Sequence, residues 1–203
     1  MGLIPAYGFG DIRTKNFKVF NINKNNVFCH RFNQVLDCYN EITPNIKLSG
    51  PTSFRPIIMQ AIEIIKYTRS YHILVIVTDG EVIDKVQTEQ AIVEASNYPL
   101  SIIVIGVGDG PFDNMEKYDD ELPERKFDNF QFVNYNKILL ECQNKNLPFE
   151  SIFLLHAPQE IPDQYNYLKR NNMLTLSYAN KVDVFTSPYE YCQVNMYPNL
   201  SNF

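Results

Sequence analysis

The stretch that most limits what this chain can fold into is Tyr71-His-Ile-Leu-Val-Ile-Val-Thr-Asp-Gly80. From Ile73 to Val77 it is uninterrupted apolar sequence, mostly β-branched. Such side chains suit a pleated strand. A strand apolar on both faces belongs inside a sheet covered on both sides, usually a parallel one. The run stops at Thr78-Asp79-Gly80. In open α/β sheets, ligands bind in the crevice beyond the carboxyl ends of the strands. That places Asp79 at a binding edge, with Gly80 freeing the backbone to turn. The alternative is that Asp79 caps the helix that follows, since Asp is a preferred N-cap residue.

The remaining elements build outward from this strand. Leu3 to Phe9 reads as a strand ending in a tight turn at Gly8-Phe-Gly10-Asp11, and Lys15 to Asn21 as a short edge strand. Arg31 to Ile42 carries Phe32, Val35, Leu36, Tyr39 and Ile42 on one helical face and stops before Pro44. Gly50-Pro51 marks a loop, and a helix over Arg55 to Thr68 follows, with Ile58, Ala61, Ile62 and Ile65 at helical spacing. Thr52 and Ser53 therefore sit at a helix N-terminus, where a hydroxyl either caps the helix or faces the crevice beside Asp79. Val86 to Asn97 reads as a helix, and Leu100 to Val107 as a second buried strand ending at Gly106-Val-Gly-Asp-Gly110. Strand, helix and strand make a right-handed βαβ unit. Pro111 to Asn129 is an acidic connection of the kind that forms a solvated face. An aromatic strand over Phe130 to Tyr135, a helix from Ile138 to Lys145, and a helical stretch from Ser151 to Leu168 broken by Pro158 and Pro162 complete the pattern. From Asn171 onward no period survives, so residues 1–170 are expected as one domain and 171–203 as an irregular tail.

Bulk properties narrow the function. The 203 residues are 45% hydrophobic and 20% charged, ordinary globular composition. A net charge of −5 argues against a phosphate-backbone binder, so no nucleic-acid partner is expected. No apolar run approaches the roughly 20 residues that span a membrane. The N-terminal residues lack a charged n-region and do not read as a signal peptide. The four cysteines, Cys29, Cys38, Cys142 and Cys192, form no C-x-x-C pair and read as reduced thiols. The sequon at Asn199-Leu-Ser201 is taken as chance. No nucleophile motif has a His near it, and no Walker-type phosphate loop occurs, so catalysis is not expected.

Several ordered segments resemble one family: Ile4-Pro-Ala-Tyr-Gly-Phe-Gly-Asp11, Leu48-Ser-Gly-Pro-Thr-Ser-Phe54, Val75-Ile-Val-Thr-Asp-Gly80, Ile105-Gly-Val-Gly-Asp-Gly-Pro111, Phe127-Asp-Asn-Phe-Gln-Phe-Val-Asn134 and Ile161-Pro-Asp-Gln-Tyr165. Over residues 3–168 the chain resembles the von Willebrand factor A-type domain of copines, and especially the copine-like domain of plant RING ubiquitin ligases. The resemblance implies an α/β fold: a doubly wound, mostly parallel sheet with helices on both faces. It also implies a metal-ion-dependent adhesion site in the crevice, fed by an Asp-x-Ser-x-Ser loop, a Thr and an Asp. Thr52 matches the Thr and Asp79 the Asp, with Asp11, Ser53 and Asp109 as helpers and Gly10, Pro51, Gly80, Glu81 and Gly110 as the partner-binding rim.

The chain departs from the family in one place. No Asp-x-Ser-x-Ser occurs, and the first, central strand that precedes it is absent. Either the sequence is a piece of a longer protein, or the strands at 3–9 and 73–77 close up against each other. Mg²⁺ takes about six oxygens in near-octahedral array, so Mg²⁺ or Ca²⁺ is expected to bind weakly or not at all. A RING needs two tetrahedral zinc sites, about eight closely paired Cys or His ligands. Four Cys and three His, scattered along the chain, do not supply them. The expected function is a copine-type protein-interaction module whose partner contributes an acidic residue. The alternatives are the substrate-recognising part of a RING ubiquitin ligase, working with the ubiquitination machinery, and a fragment of a calcium-dependent phospholipid-binding copine. The expected location is cytoplasmic, or nuclear or peripheral at the plasma membrane through a partner.

Overall fold

A computed structural model describes residues 2–50, 52–80, 82–122 and 124–174. The tail beyond Leu174, with Cys192 and the sequon, lies outside the described residues. These residues fall into two compact units, divided after Gly50.

The first unit is built from short antiparallel ribbons. β1 (Leu3–Ile4) pairs with β4 (Cys29–His30), and β2 (Tyr7–Gly8) pairs with β3 (Phe20–Asn21). The sequence reads Leu3 to Phe9 as one strand, but Pro5 has no N–H to donate, and the stretch divides there into two strands with different partners. The edge strand expected over Lys15 to Asn21 is confined to Phe20–Asn21, because a turn occupies residues 12–17 and Lys15 has φ 47. α1 (Arg31–Ile42) and a 3-10 turn at Thr43–Asn45 follow. The apolar face of α1 is open: Phe32, Leu36 and Tyr39 are all exposed. Cys29 and Cys38 are free thiols, and burial pushes the Cys29 thiol up, with Cys38 beside it adding to the rise.

Asp11 closes this unit. Ile12 N donates to Lys47 O and Ser49 N to Gly10 O, strapping the Gly10 segment to Lys47–Ser49. The Asp11 carboxylate, buried, accepts from Thr14 N at 2.7 Å and from the Thr14 hydroxyl. Burial acts to raise its pKa, but the hydrogen bonds from Thr14 and the Arg13 N–H outweigh that and hold it below its ordinary value.

The second unit carries a three-stranded parallel sheet, ordered β5 (His72–Thr78), β6 (Leu100–Gly106), β7 (Phe130–Asn134). α2 (Arg55–Thr68), α3 (Lys85–Ala95), α4 (Asp113–Asp120), α5 (Tyr135–Lys145), α6 (Phe149–His156) and α7 (Ile161–Arg170) surround it. Every residue of β6 except Ile105 is buried, so helices cover both of its faces. Ile103, Val133, Ile138 and Cys142 form the core on one side, with Phe149, Ile152 and Phe153 of α6 packed against it. α2 and α3 pack on each other, with Ile58, Ile62 and Ile92 fully buried. The mixed α/β class and the helix-flanked parallel sheet are those the sequence implies.

The acidic connection Pro111 to Asn129 departs from expectation. It is not simply a solvated face: it holds α4, which turns Met115 and Tyr118 into the core while Asp113 and Glu116 stay exposed. The helical stretch near the C-terminus breaks between His156 and Ile161, at Pro158, giving α6 and α7.

β5 is the exposed edge of the sheet. Val75 pairs in register with Ile103, so Ile73, Val75 and Val77 share the sheet face that α5 and α6 cover over β6 and β7. That cover stops short of β5, leaving these side chains 46%, 53% and 58% exposed. Among the described residues no strand pairs with the other edge of β5. An apolar, uncharged edge is a template for pairing with another chain.

Two outcomes test this architecture. Val75→Lys should lower concentration-dependent light scattering while leaving the urea midpoint nearly unchanged. Ile76→Ala, on the opposite face and 2% exposed, should cost about 2–5 kcal/mol in urea unfolding. Equal effects of the two would refute the assignment of the open face. Asp11 gives a pH test. Its folded-state value is depressed, so the stability it contributes is present above the ordinary 3.8 and lost as pH falls through the lower folded value. Asp11→Ala should cost about 1 kcal/mol at neutral pH and flatten the acid limb of the urea midpoint plotted against pH.

Candidate functional site

The crevice lies at the carboxyl ends of β5 and β6, where the chain leaves the sheet at Thr78 and Gly106. Backbone bonds assemble its loops. Val107 N donates to Thr78 O at 2.8 Å, tying the end of β5 to the end of β6. The Thr78 hydroxyl donates to Gly80 O at 3.0 Å and folds the Asp79 turn back on itself. Ile83 N donates to Thr52 O at 3.0 Å, which joins the loop before α2 to the loop after β5. Gly108 has φ +84, a conformation that other residues rarely adopt, and its open α-carbon faces the Asp79 carbonyl. The Asn136 side-chain amide donates to Gly108 O at 2.7 Å and pins that loop from α5.

The candidate residues divide clearly. Asp79 and Asp109 are exposed and Thr52 half-buried, and their three loops meet through the bonds above. Asp79 is not the cap of the next helix; that role belongs to Asp84, whose carboxylate accepts from Gln87 N. Ser53 is 1% exposed, and its hydroxyl accepts from Arg55 N at 3.2 Å and lies 3.5 Å from the Thr88 hydroxyl. It is therefore spent on starting α2 rather than on the crevice. Asp11 is committed to Thr14, and with Gly10 it belongs to the first unit. Asp109 follows β6, whose neighbours in the sheet are β5 and β7. Gly80 and Gly110 stand close across the rim: a Cβ on Gly80 would lie 4.0 Å from Gly110 O. Pro51 and Glu81 lie outside the described residues.

Ile83, Thr88 and Asn136 were not legible as parts of the site. Ile83 acts through its backbone N–H, Thr88 through a buried hydroxyl and Asn136 through a side-chain amide on a backbone carbonyl, and none of these leaves a pattern in sequence.

The chemistry available is limited. The three loops contain no His, Cys or Lys, so for acid–base or nucleophilic work they offer only carboxylates and hydroxyls. Among the described residues no three His, Cys, Asp or Glu side chains gather into a metal-holding group. Thr52, Asp79 and Asp109 offer one hydroxyl and two exposed carboxylates toward the roughly six oxygens that Mg²⁺ takes.

A model of the copine family matches residues 2–177. Copine family protein 2 of Caenorhabditis elegans is 48% identical over 176 residues, covering 85% of this chain and 2% of that protein. E3 ubiquitin-protein ligase RGLG5 of Arabidopsis thaliana is 48% identical over 179 residues, covering 80% of this chain and 40% of the ligase. Copine-A of Dictyostelium discoideum is 42% identical over 129 residues, covering 59% of this chain and 22% of that protein. The chain thus spans less than half the length of each of these relatives. With a family match across both units and a helix-flanked parallel sheet beneath it, the chain belongs to the copine family, as a copine-like von Willebrand factor A-type domain.

Proposed function

We propose that the chain is a protein-interaction module that engages a protein partner at the rim of the β5–β6 crevice without a resident metal ion. The observation that carries this reading is the rim itself. Three loops are locked together by backbone bonds, yet Asp79 and Asp109 remain exposed and have no hydrogen-bond partner among the described residues. A rigid frame with uncommitted polar groups lowers the ordering cost of binding. Because the rim is acidic, a partner's carboxylate meets like charge there unless a divalent ion enters with it. Weak, partner-assisted entry of Mg²⁺ or Ca²⁺ is therefore the most that the Thr52–Asp79 pair supports. A cytoplasmic location, or a peripheral one reached through the partner, accords with this reading.

A second reading is favoured by the plant relatives, which are E3 ubiquitin-protein ligases at 44–48% identity. In it the same rim selects a substrate for ubiquitination, and a RING is supplied by another part of a longer protein or by another chain. The third is a piece of a calcium-dependent phospholipid-binding copine, whose C2 domains would lie elsewhere in a longer protein.

Thermal melts with and without millimolar MgCl₂ or CaCl₂ test the metal part of the proposal. The expected midpoint is unmoved by either ion, and Asp79→Ala melts as the parent does. A midpoint raised by Mg²⁺ and returned by Asp79→Ala would sink the metal-free reading. A photocrosslinker placed at Asp109 should capture a discrete protein partner, with EDTA making no difference, while one at exposed Glu63 of α2 captures none. Identical capture from both positions excludes the rim.

A further inference from the structure

A second site lies at the opposite end of the same sheet. Phe127 and Asp128 lead into the first residue of β7, and so stand at the amino edge of the parallel strands, away from the Thr52–Asp79 crevice. Facing them is one stripe of α7 and its lead-in. Phe127, Asp128, Glu160, Asp163, Gln164 and Tyr167 line an open cleft of about 390 Å³. Two of the segments that carry the family resemblance meet here, Phe127-Asp-Asn129 and Ile161-Pro-Asp-Gln-Tyr165, and the crevice uses neither.

The lining is rigid and one-sided in its chemistry. The rings of Phe127 and Tyr167 stack at 5.2 Å with 21° between their planes, making an aromatic wall. Asp128 is held by Arg125, whose guanidinium is itself fixed on Asp119 O and Leu122 O. Glu160 is held through its N–H by the Gln131 side chain and accepts from Gln164 Nε2 at 3.3 Å. Asp163 is exposed at the mouth. Gln164 is only 4% exposed, and its Oε1 has no hydrogen-bond partner. A buried acceptor left unmet is costly, and a donor arriving in the cleft recovers that cost once the Gln164 amide turns toward it. Carboxylates, a carbonyl oxygen and aromatic faces all ask for the same ligand: a flat cation rich in N–H groups. A metal ion is disfavoured, because the three carboxylates do not form a metal-holding group.

We propose that this cleft binds an arginine side chain of a partner protein, stacked on the Phe127–Tyr167 pair and hydrogen-bonded to Asp163, Glu160 and Gln164. The guanidinium is preferred to an ammonium because it stacks and forks at once, where a lysine presents a compact, strongly hydrated point charge. This surface is separate from the rim, so a partner can engage either or both.

The test is a titration of the isotope-labelled full chain, followed by backbone amide resonances. The probes are N-acetyl-arginine methylamide, its neutral isostere N-acetyl-citrulline methylamide, N-acetyl-lysine methylamide, and MgCl₂ alone. The arginine probe should shift residues 127–128 and 160–167 saturably and leave Thr52, Asp79 and Asp109 unmoved, with the response weakening as salt is added. Asp163→Asn should weaken it about threefold, as expected for one exposed charge contact. Tyr167→Ala should abolish it and Tyr167→Phe should retain it. An equal response to the citrulline or lysine probe, the same shifts from MgCl₂ alone, or no response to the arginine probe overturns the proposal.

Discussion

Parallel strands have no hairpin to tether them, so β5, β6 and β7 depend on what covers their faces as well as on their ladder hydrogen bonds. Here that cover is complete over β6 alone. Its even-numbered residues Ile102 and Val104 are fully buried on one side, and Ile103 lies in the α5–α6 core on the other. Everything functional hangs from that one strand. The crevice loops leave its carboxyl end beside β5. The stretch holding Phe127 and Asp128 reaches the amino edge because Asn129 O accepts from Ile102 N, and the Asn129 side chain donates to Ile92 O. Damage to the β6 core is therefore expected to disturb both surfaces together, whereas changes at either edge stay local.

The same dependence explains why β5 is the weak element. It contributes Ile76 to the covered core, but its other face and its outer edge have no partner among the described residues. In a sheet of this type the most apolar strand is normally interior, with both edges paired. The composition of β5 is that of an interior strand placed at an edge.

Much of this was legible from residue order, and the failures have physical causes. Helical spacing gave α1 and α2 their ends, because an apolar stripe interrupted by Pro44 or preceded by Gly50-Pro51 allows few alternatives. β5 and β6 declared themselves through unbroken β-branched runs. α4 did not, because its acidic residues mask the spacing of Phe112, Met115 and Tyr118, which are the residues it buries. The roles of Thr52 and Ser53 were open for a different reason. Two adjacent hydroxyls before a helix are equivalent in sequence, and only the buried Thr88 across from Ser53 separates them. The cleft at Phe127 was invisible, since it joins segments that meet only once α7 has packed back over the start of β7.

The absence of cations from the crevice loops bears on how such a module selects its partners. Asp79 and Asp109 at the carboxyl end, and Glu160 and Asp163 at the amino end, where Asp128 is paired with Arg125, put carboxylates at both ends of the sheet. A chain of net charge −5 thus offers two acidic surfaces on one rigid core. Electrostatics of this kind sets encounter rate and excludes wrong partners more than it sets affinity. Affinity must come from groups that are buried on binding, and the two ends differ in what they can bury. The crevice offers backbone and carboxylate, which water serves nearly as well. The cleft offers stacked rings and an unmet buried amide oxygen, which water serves poorly. Discrimination between basic partners is therefore expected to reside at the amino end, and tolerance of varied polar partners at the rim.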